Sequence, residues 1–164
     1  MAKYWARKDD ENEELRTIKP WDENEGKGNM VLPRTPHYDV VAAVIERNGK
    51  ILCMQKGRTK FEYTQFKWEF PGGKVEKGET PSEAIEREIR EELKMDVRAD
   101  GLIGTTFHQY PDFSISLAAY RCIASDSEPV LTEHISARWE LPSHLYLLDW
   151  AEADKAIVSM LSPR

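Results

Sequence analysis

The chain has 164 residues, 40% of them hydrophobic, and a formal net charge of -6 at pH 7, which suits one domain with a substantial core and leaves no room for two large ones. The acidic balance argues against non-specific binding to a nucleic acid polymer or an anionic membrane, because both need a basic surface; a polyanionic small substrate stays open, since divalent cations can bridge carboxylates to phosphates. No apolar run reaches the length of a membrane span, and the amino-terminal stretch MAKYWARKDDENEELR holds no apolar signal segment, so a cytoplasmic location is expected.

Residues 1–36 are polar and charge-mixed, with the loop-like run DENEGKGN and prolines Pro20, Pro33 and Pro36, and read as an extension ahead of a domain over residues 37–164. Tyr4, Trp5 and Trp21 are costly to leave in water and are expected to pack on the domain or on a second subunit, so monomer and homodimer both stay open. The segment YDVVAAVIERNGKILCMQK predicts two strands joined by an Asn48-Gly49 hairpin turn. Cys53 and Cys122 fall in apolar strand-like runs without metal-ligand spacing and read as buried free thiols.

FKWEFPGG is a short aromatic strand ended by Pro71 and two glycines. In ETPSEAIEREIREELKM, Thr80 before Pro81 and Glu83 predicts a helix with an N-cap, proline at its first position and a capping box. GLIGTTFHQY and FSISLAAYRCIA read as strands, and VLTEHISARWEL as one more strand with its approach loop. DWAEADKAIVSML predicts a last helix that starts at an Asp149 cap, with Glu152 completing a second capping box. Strands and helices mixed in this order predict an α/β fold, a mixed sheet with helices on its faces.

On the first helix Glu88, Glu91 and Glu92 stand at i, i+3 and i+4, so like charges share one sector at a cost of about 0.2 to 0.5 kcal/mol per pair. Ile85, Ile89 and Leu93 form the neighbouring apolar stripe, and Glu83, Glu86, Arg87 and Arg90 fill the remaining arc, which is expected to face water. A solvated acidic face would explain an isolated helix of this kind. Here PGGKVEKGE precedes it, with glycines that let backbone approach the helix start, and a hard divalent cation would turn the repulsion into attraction.

The run GGKVEKGETPSEAIEREIREELKM resembles the signature of the Nudix hydrolases: Gly73, five residues, Glu79, seven residues, Arg87-Glu88-Ile89, one residue, Glu91-Glu92, and then the apolar Met95. Lys94 departs from the family's glycine after the carboxylates, so the helix either ends differently or holds a left-handed lysine at a cost of roughly 1 kcal/mol. WEFPGGKVEKGET looks most like the MutT branch and its relative acting on CTP and damaged nucleotides.

The resemblance implies a Nudix-type α/β/α sandwich with a loop-helix-loop catalytic motif, and Mg²⁺-dependent hydrolysis of a nucleoside triphosphate to a monophosphate and diphosphate, with Mn²⁺ as a substitute ion. By that likeness Glu88, Glu91, Glu92 and the Gly72 carbonyl would hold the metal, with Glu133 as a further carboxylate that could equally be an ordinary surface residue. Glu88 would orient water, while Gly73, Glu79 and Arg87 support the site, the last two as an ion pair. Lys56 and Lys74 match cationic positions that meet phosphates, although a solvated strand-end lysine fits Lys56 as well. Phe70 and Ile115 match positions that line a base pocket or could be plain core, and Asp154 matches a residue that reads the base edge. Phe113 stands where the oxidised-guanine enzyme carries arginine, which leaves a pyrimidine triphosphate open. Rival readings are a Nudix hydrolase of nucleotide sugars or dinucleoside polyphosphates, and a module that binds a nucleotide without cleaving it.

Overall fold

β1 (His37–Arg47) is the axis of the fold: it pairs in parallel with β6 (Ser114–Ala124) and antiparallel with both β2 (Lys50–Gln55) and β4 (Gly72–Lys74). The computed structural model describes residues 35–162, so the expected extension, including Tyr4, Trp5 and Trp21, lies outside the described residues except for Thr35 and Pro36. β3 (Trp68–Glu69) and β7 (Ser136–Glu140) both pair antiparallel with β2, and β5 (Val97–Gln109) forms an antiparallel hairpin with β6 at the far edge. The order along the sheet is β3-β2-β1-β6-β5. This is the mixed sheet expected.

Side-chain alternation divides the buried residues into two cores. Val40, Ala42 and Val44 of β1 with Ile51 and Cys53 of β2 face one side, where Leu145, Trp150, Ile157 and Val158 close over them. Val41, Ala43 and Ile45 with Leu52 and Met54 face the other, against Ala84, Ile85, Ile89 and Leu93 of helix α1 (Pro81–Leu93). The central strands therefore read as near-continuous apolar runs because both faces are covered. Each fully buried large aliphatic side chain contributes about 1.5 to 3 kcal/mol.

The Asn48-Gly49 turn has both residues at positive φ, 52° and 71°, as a tight hairpin requires. α1 starts as the sequence predicts: Thr80 accepts from the Glu83 backbone N–H, Glu83 accepts from that of Thr80, and Pro81 takes the first turn. Cys53 and Cys122 are buried free thiols whose pKa burial pushes up to about 12, so neither supplies a thiolate at neutral pH.

The last helix differs from its expected start. α2 spans Lys155–Leu161 with Asp154 at its N-cap position, and no side chain caps it. Asp149 instead holds Lys67 at 2.7 and 2.8 Å, and Glu152 pairs with Lys155. Backbone pairing explains the difference: Trp68 N–H donates to Asp149 O (2.9 Å) and Ala151 N–H to Trp68 O (2.8 Å), so residues 149–151 extend the sheet and cannot also begin a helix. A 3-10 turn over Pro142–Leu147 is a further element absent from the sequence reading.

α1 ends at Lys94 in the left-handed region, φ 54° and ψ 30°, the geometry that glycine adopts without a Cβ penalty. Replacing Lys94 by glycine should therefore stabilise the fold by about 0.5 to 1 kcal/mol, a rise in Tm of roughly 1 to 4 °C. Calorimetry of Lys94→Gly checks it.

Candidate active site

The Pro71-Gly72-Gly73 turn brings α1 against β1. Ala43 N–H donates to the Pro71 carbonyl at 2.7 Å, and Gly72 and Gly73 pair with Ala42 and Val41. A Cβ on Gly72 would run into the Val41 carbonyl, and one on Gly73 into the Glu88 carboxyl. Glycine is needed at both places by close approach, and the result is a Glu88 side chain pressed onto the turn.

Glu88 and Glu92 are buried, each 4% exposed, whereas Glu91 is exposed. The acidic sector thus straddles the border of core and solvent. Burial raises the pKa of Glu92 well above the carboxylate range, and the charges of Glu69, Glu88 and Glu133 push it further the same way. Oε2 of Glu92 is buried without a hydrogen-bond partner among the described residues. Glu133 reaches this neighbourhood because its loop docks on the end of α1: Thr132 donates to the Glu92 carbonyl through N–H (3.3 Å) and Oγ1 (2.8 Å), and Val130 N–H to Leu93 O (2.9 Å).

Arg87 is not on the watery arc that the helical wheel assigns it. Its guanidinium grips Glu79 through two bonds of 2.7 and 2.8 Å, donates to Glu88 Oε1 at 2.6 Å and reaches the Lys74 carbonyl at 3.0 Å. The Glu79 ion pair is present, and Arg87 additionally fixes Glu88. Helical angle alone misplaces a long side chain drawn inward by two carboxylates.

Among the described residues no group of three carboxylate, histidine or cysteine side chains converges on one ion position as they stand. The donor set nonetheless fits a hard divalent cation: the oxygens of Glu88, Glu91, Glu92 and Glu133 are its ligand chemistry, and the unpartnered Glu92 Oε2 is a buried acceptor lacking a positive partner.

On the other side of β1 lies a narrow cavity lined by Lys56, Glu69, Phe70, Tyr110, Ile115 and Asp154 with neighbouring core residues. Its volume of about 30 Å³ has room for about one water. Phe70 and Ile115 are buried core residues that also form part of the cavity wall. Asp154 is buried and accepts from Phe70 N–H at 3.0 Å; burial and then the Glu69 charge raise its pKa to about 7. Lys74 instead stands 3.7 Å over the Tyr38 ring, a cation–π contact.

Lys56 is not a solvated strand-end lysine. It is buried and bonded to Glu69 Oε2 at 2.6 Å, while His134 Nε2 meets Glu69 Oε1 at 2.9 Å. Desolvation raises the Glu69 pKa, but Lys56 and His134 together overcome it and leave the carboxyl below its usual range. Glu69 and His134 were not singled out by sequence reasoning. The available signal was a carboxylate between Trp68 and Phe70 in an aromatic strand, which must be buried and so must have a partner.

The strap from Gly57 to Lys67 contributes Thr64 to the cavity lining and packs beside it: Tyr63 Oη donates to Asp112 (2.8 Å), Phe61 meets Phe113 at 5.2 Å and Tyr63 stacks on Tyr110 at 5.5 Å.

The raised pKa of Asp154 has a stability consequence with a definite sign. The folded state holds a proton that the unfolded chain, at an ordinary pKa near 3.8, releases, so stability falls as pH rises from about 4 to about 7 and is lowest above that window. Asp154→Asn keeps an acceptor for Phe70 N–H and should be more stable than wild type at pH 8 by on the order of a few kcal/mol, the gain vanishing towards pH 4. Urea unfolding of both proteins across that range reads the difference.

A family model described as the NUDIX domain matches residues 35–161. The chain is 34% identical over 127 residues to the putative 8-oxo-dGTP diphosphatase 2 of Mycobacterium tuberculosis (strain ATCC 25618 / H37Rv), covering 75% of this chain and 86% of that protein. It is 33% identical over 116 residues to the CTP pyrophosphohydrolase of Escherichia coli (strain K12), covering 71% and 84% respectively. The solution structure of MutT from methicillin-resistant Staphylococcus aureus 252, a protein described there as a Nudix hydrolase, superposes with a TM-score of 0.64 at 41% identity, covering 78% of this chain and 97% of that one. Members of this family generally work with a divalent metal ion. The family model spans most of the chain and these relatives share at least 30% of its residues over more than two thirds of it: the chain belongs to the Nudix hydrolase family.

Proposed function

We propose that the chain is a Mg²⁺-dependent nucleoside triphosphate pyrophosphohydrolase of the MutT type, converting a (d)NTP and water to a (d)NMP and diphosphate in the cytoplasm. The observation that carries this is the carboxylate sector with Glu88 and Glu92 buried behind the glycine turn, with a narrow, partly charged cavity on the other face of β1. Relatives named for 8-oxo-dGTP and for CTP support a triphosphate. Phe113, buried against Tyr110 and Phe61, offers the base no guanidinium, which favours a pyrimidine over an oxidised guanine.

Glu88, Glu91, Glu92, Glu133 and the Gly72 carbonyl would hold the ion. When bound, it neutralises phosphate charge and supplies electrophilic help. The chain's own residues do the rest. Arg87 fixes the Glu88 carboxylate, which orients the attacking water and accepts its proton as the anhydride between the α- and β-phosphorus breaks. Phe70 and Ile115 wall the base, Asp154 faces its edge, and Lys56 with Lys74 meets the phosphate chain. A base needs more room than the cavity offers as it stands, about one water, so its walls, Thr64 of the strap among them, must shift on binding.

Purified protein with a nucleotide panel and Mg²⁺ should release diphosphate from triphosphates; release of AMP and a sugar phosphate from a nucleotide sugar instead would favour the rival hydrolase. Glu88→Gln should lower kcat by about 10² or more while nucleotide binding persists. Unchanged turnover would remove Glu88 from its role. Chelation by EDTA should abolish activity and Mg²⁺ restore it, with Mn²⁺ as a working substitute.

A further inference from the structure

His134 takes no part in the scheme above, and it is not among the cavity-lining residues. It is nevertheless buried, and its Nε2 lies 2.9 Å from Glu69 Oε1. Glu69, held ionised by Lys56, can only accept, so the proton of this bond sits on Nε2 of His134. Each oxygen of Glu69 thus has one donor, His134 on Oε1 and Lys56 on Oε2 at 2.6 Å.

Three features point away from simple packing. The second ring nitrogen, Nδ1, is buried without a hydrogen-bond partner among the described residues, a cost that an apolar side chain of the same size would avoid. Glu69 and Lys56 line the cavity, and their charges are felt both at Asp154 on that side and at Glu92 on the carboxylate helix. His134 also follows Glu133 on the loop that Thr132 pins to the end of α1, so the ring ties that loop to β3.

We propose that His134 is a positioning residue for nucleotide binding: its Nε2–H fixes one oxygen of Glu69, so that the other holds the Lys56 ammonium at the junction between base cavity and carboxylate helix, where the phosphate chain passes. Without the imidazole, Lys56 can slide to bridge both oxygens of Glu69, and its charge is withdrawn from the substrate. This contact exists before and during the reaction, so its loss appears in KM and leaves kcat nearly unchanged. The inference rests on the triphosphate reading of the site.

The test measures steady-state kinetics and the Kd of a nonhydrolysable triphosphate analogue for wild type, His134→Ala, His134→Gln and Lys56→Met. His134→Ala should raise KM and Kd about tenfold with kcat within about threefold, and His134→Gln, whose amide can donate to Glu69, should recover most of that loss. Adding His134→Ala to Lys56→Met should weaken binding no further, because the ring acts through that lysine. Where the alanine variant does not fold, Glu69→Gln gives the same information, since it keeps the shape and removes the charge that orders Lys56. Equal losses in the alanine and glutamine variants, a fall in kcat at constant KM, additive losses with Lys56→Met, or a wild-type KM in Glu69→Gln would each overturn the proposal. Wild type that binds the analogue yet cleaves no triphosphate would defeat the hydrolase reading alone, and the Kd comparison would still decide the role of His134.

Discussion

Carboxylates forced together out of water are the constraint on which the site depends. Gly72 and Gly73 let the turn close against both β1 and α1, and that closeness buries Glu88 and Glu92 beside Glu69 and Glu133. Two unit charges about 4 Å apart interact by about 4 kcal/mol at an effective dielectric of 20, so a cluster of one sign is stable only if protons or cations enter it. Arg87 answers part of the charge by holding Glu79 and Glu88. Glu92 keeps the remainder, with an unpartnered oxygen and a strongly raised pKa.

The two faces of β1 divide the labour. One carries the helix with the carboxylates; the other carries the cavity with Phe70, Ile115 and Asp154. Lys56 and Glu69 are the polar link between them, at a point where an unpaired charge could not be sustained. A nucleotide laid across this arrangement would place its base on the apolar side and its phosphates towards the acidic helix. The segment over residues 57–67 is anchored beside that side by Tyr63 Oη on Asp112, by Gln55 Nε2 on the Phe66 carbonyl, by the Lys67–Asp149 ion pair and by aromatic stacking.

Much of this was legible in the sequence because it rests on local chemistry. The Asn48-Gly49 turn, the Thr80–Glu83 capping box and the apolar stripe Ile85-Ile89-Leu93 are set by neighbours in the chain, and each appears where its pattern puts it. The start of α2 was misread because Asp149 and Glu152 carry the pattern of a cap while Trp68, far away in the sequence, claims that backbone for the sheet. Arg87 was misplaced for a related reason: a helical wheel fixes the direction of Cβ, not the reach of a guanidinium. The burial of Lys56 and the Glu69–His134 bond join segments far apart in sequence, and no local spacing announces them.

The most direct test of the central claim is a titration of Mn²⁺ into wild type and Glu92→Gln, with bound ion counted by electron paramagnetic resonance at neutral pH. The account predicts that wild type binds the ion and that Glu92→Gln, which removes the charge of the unpartnered carboxylate, loses most of that affinity. Equal binding by the two proteins, or no binding by wild type, would contradict it.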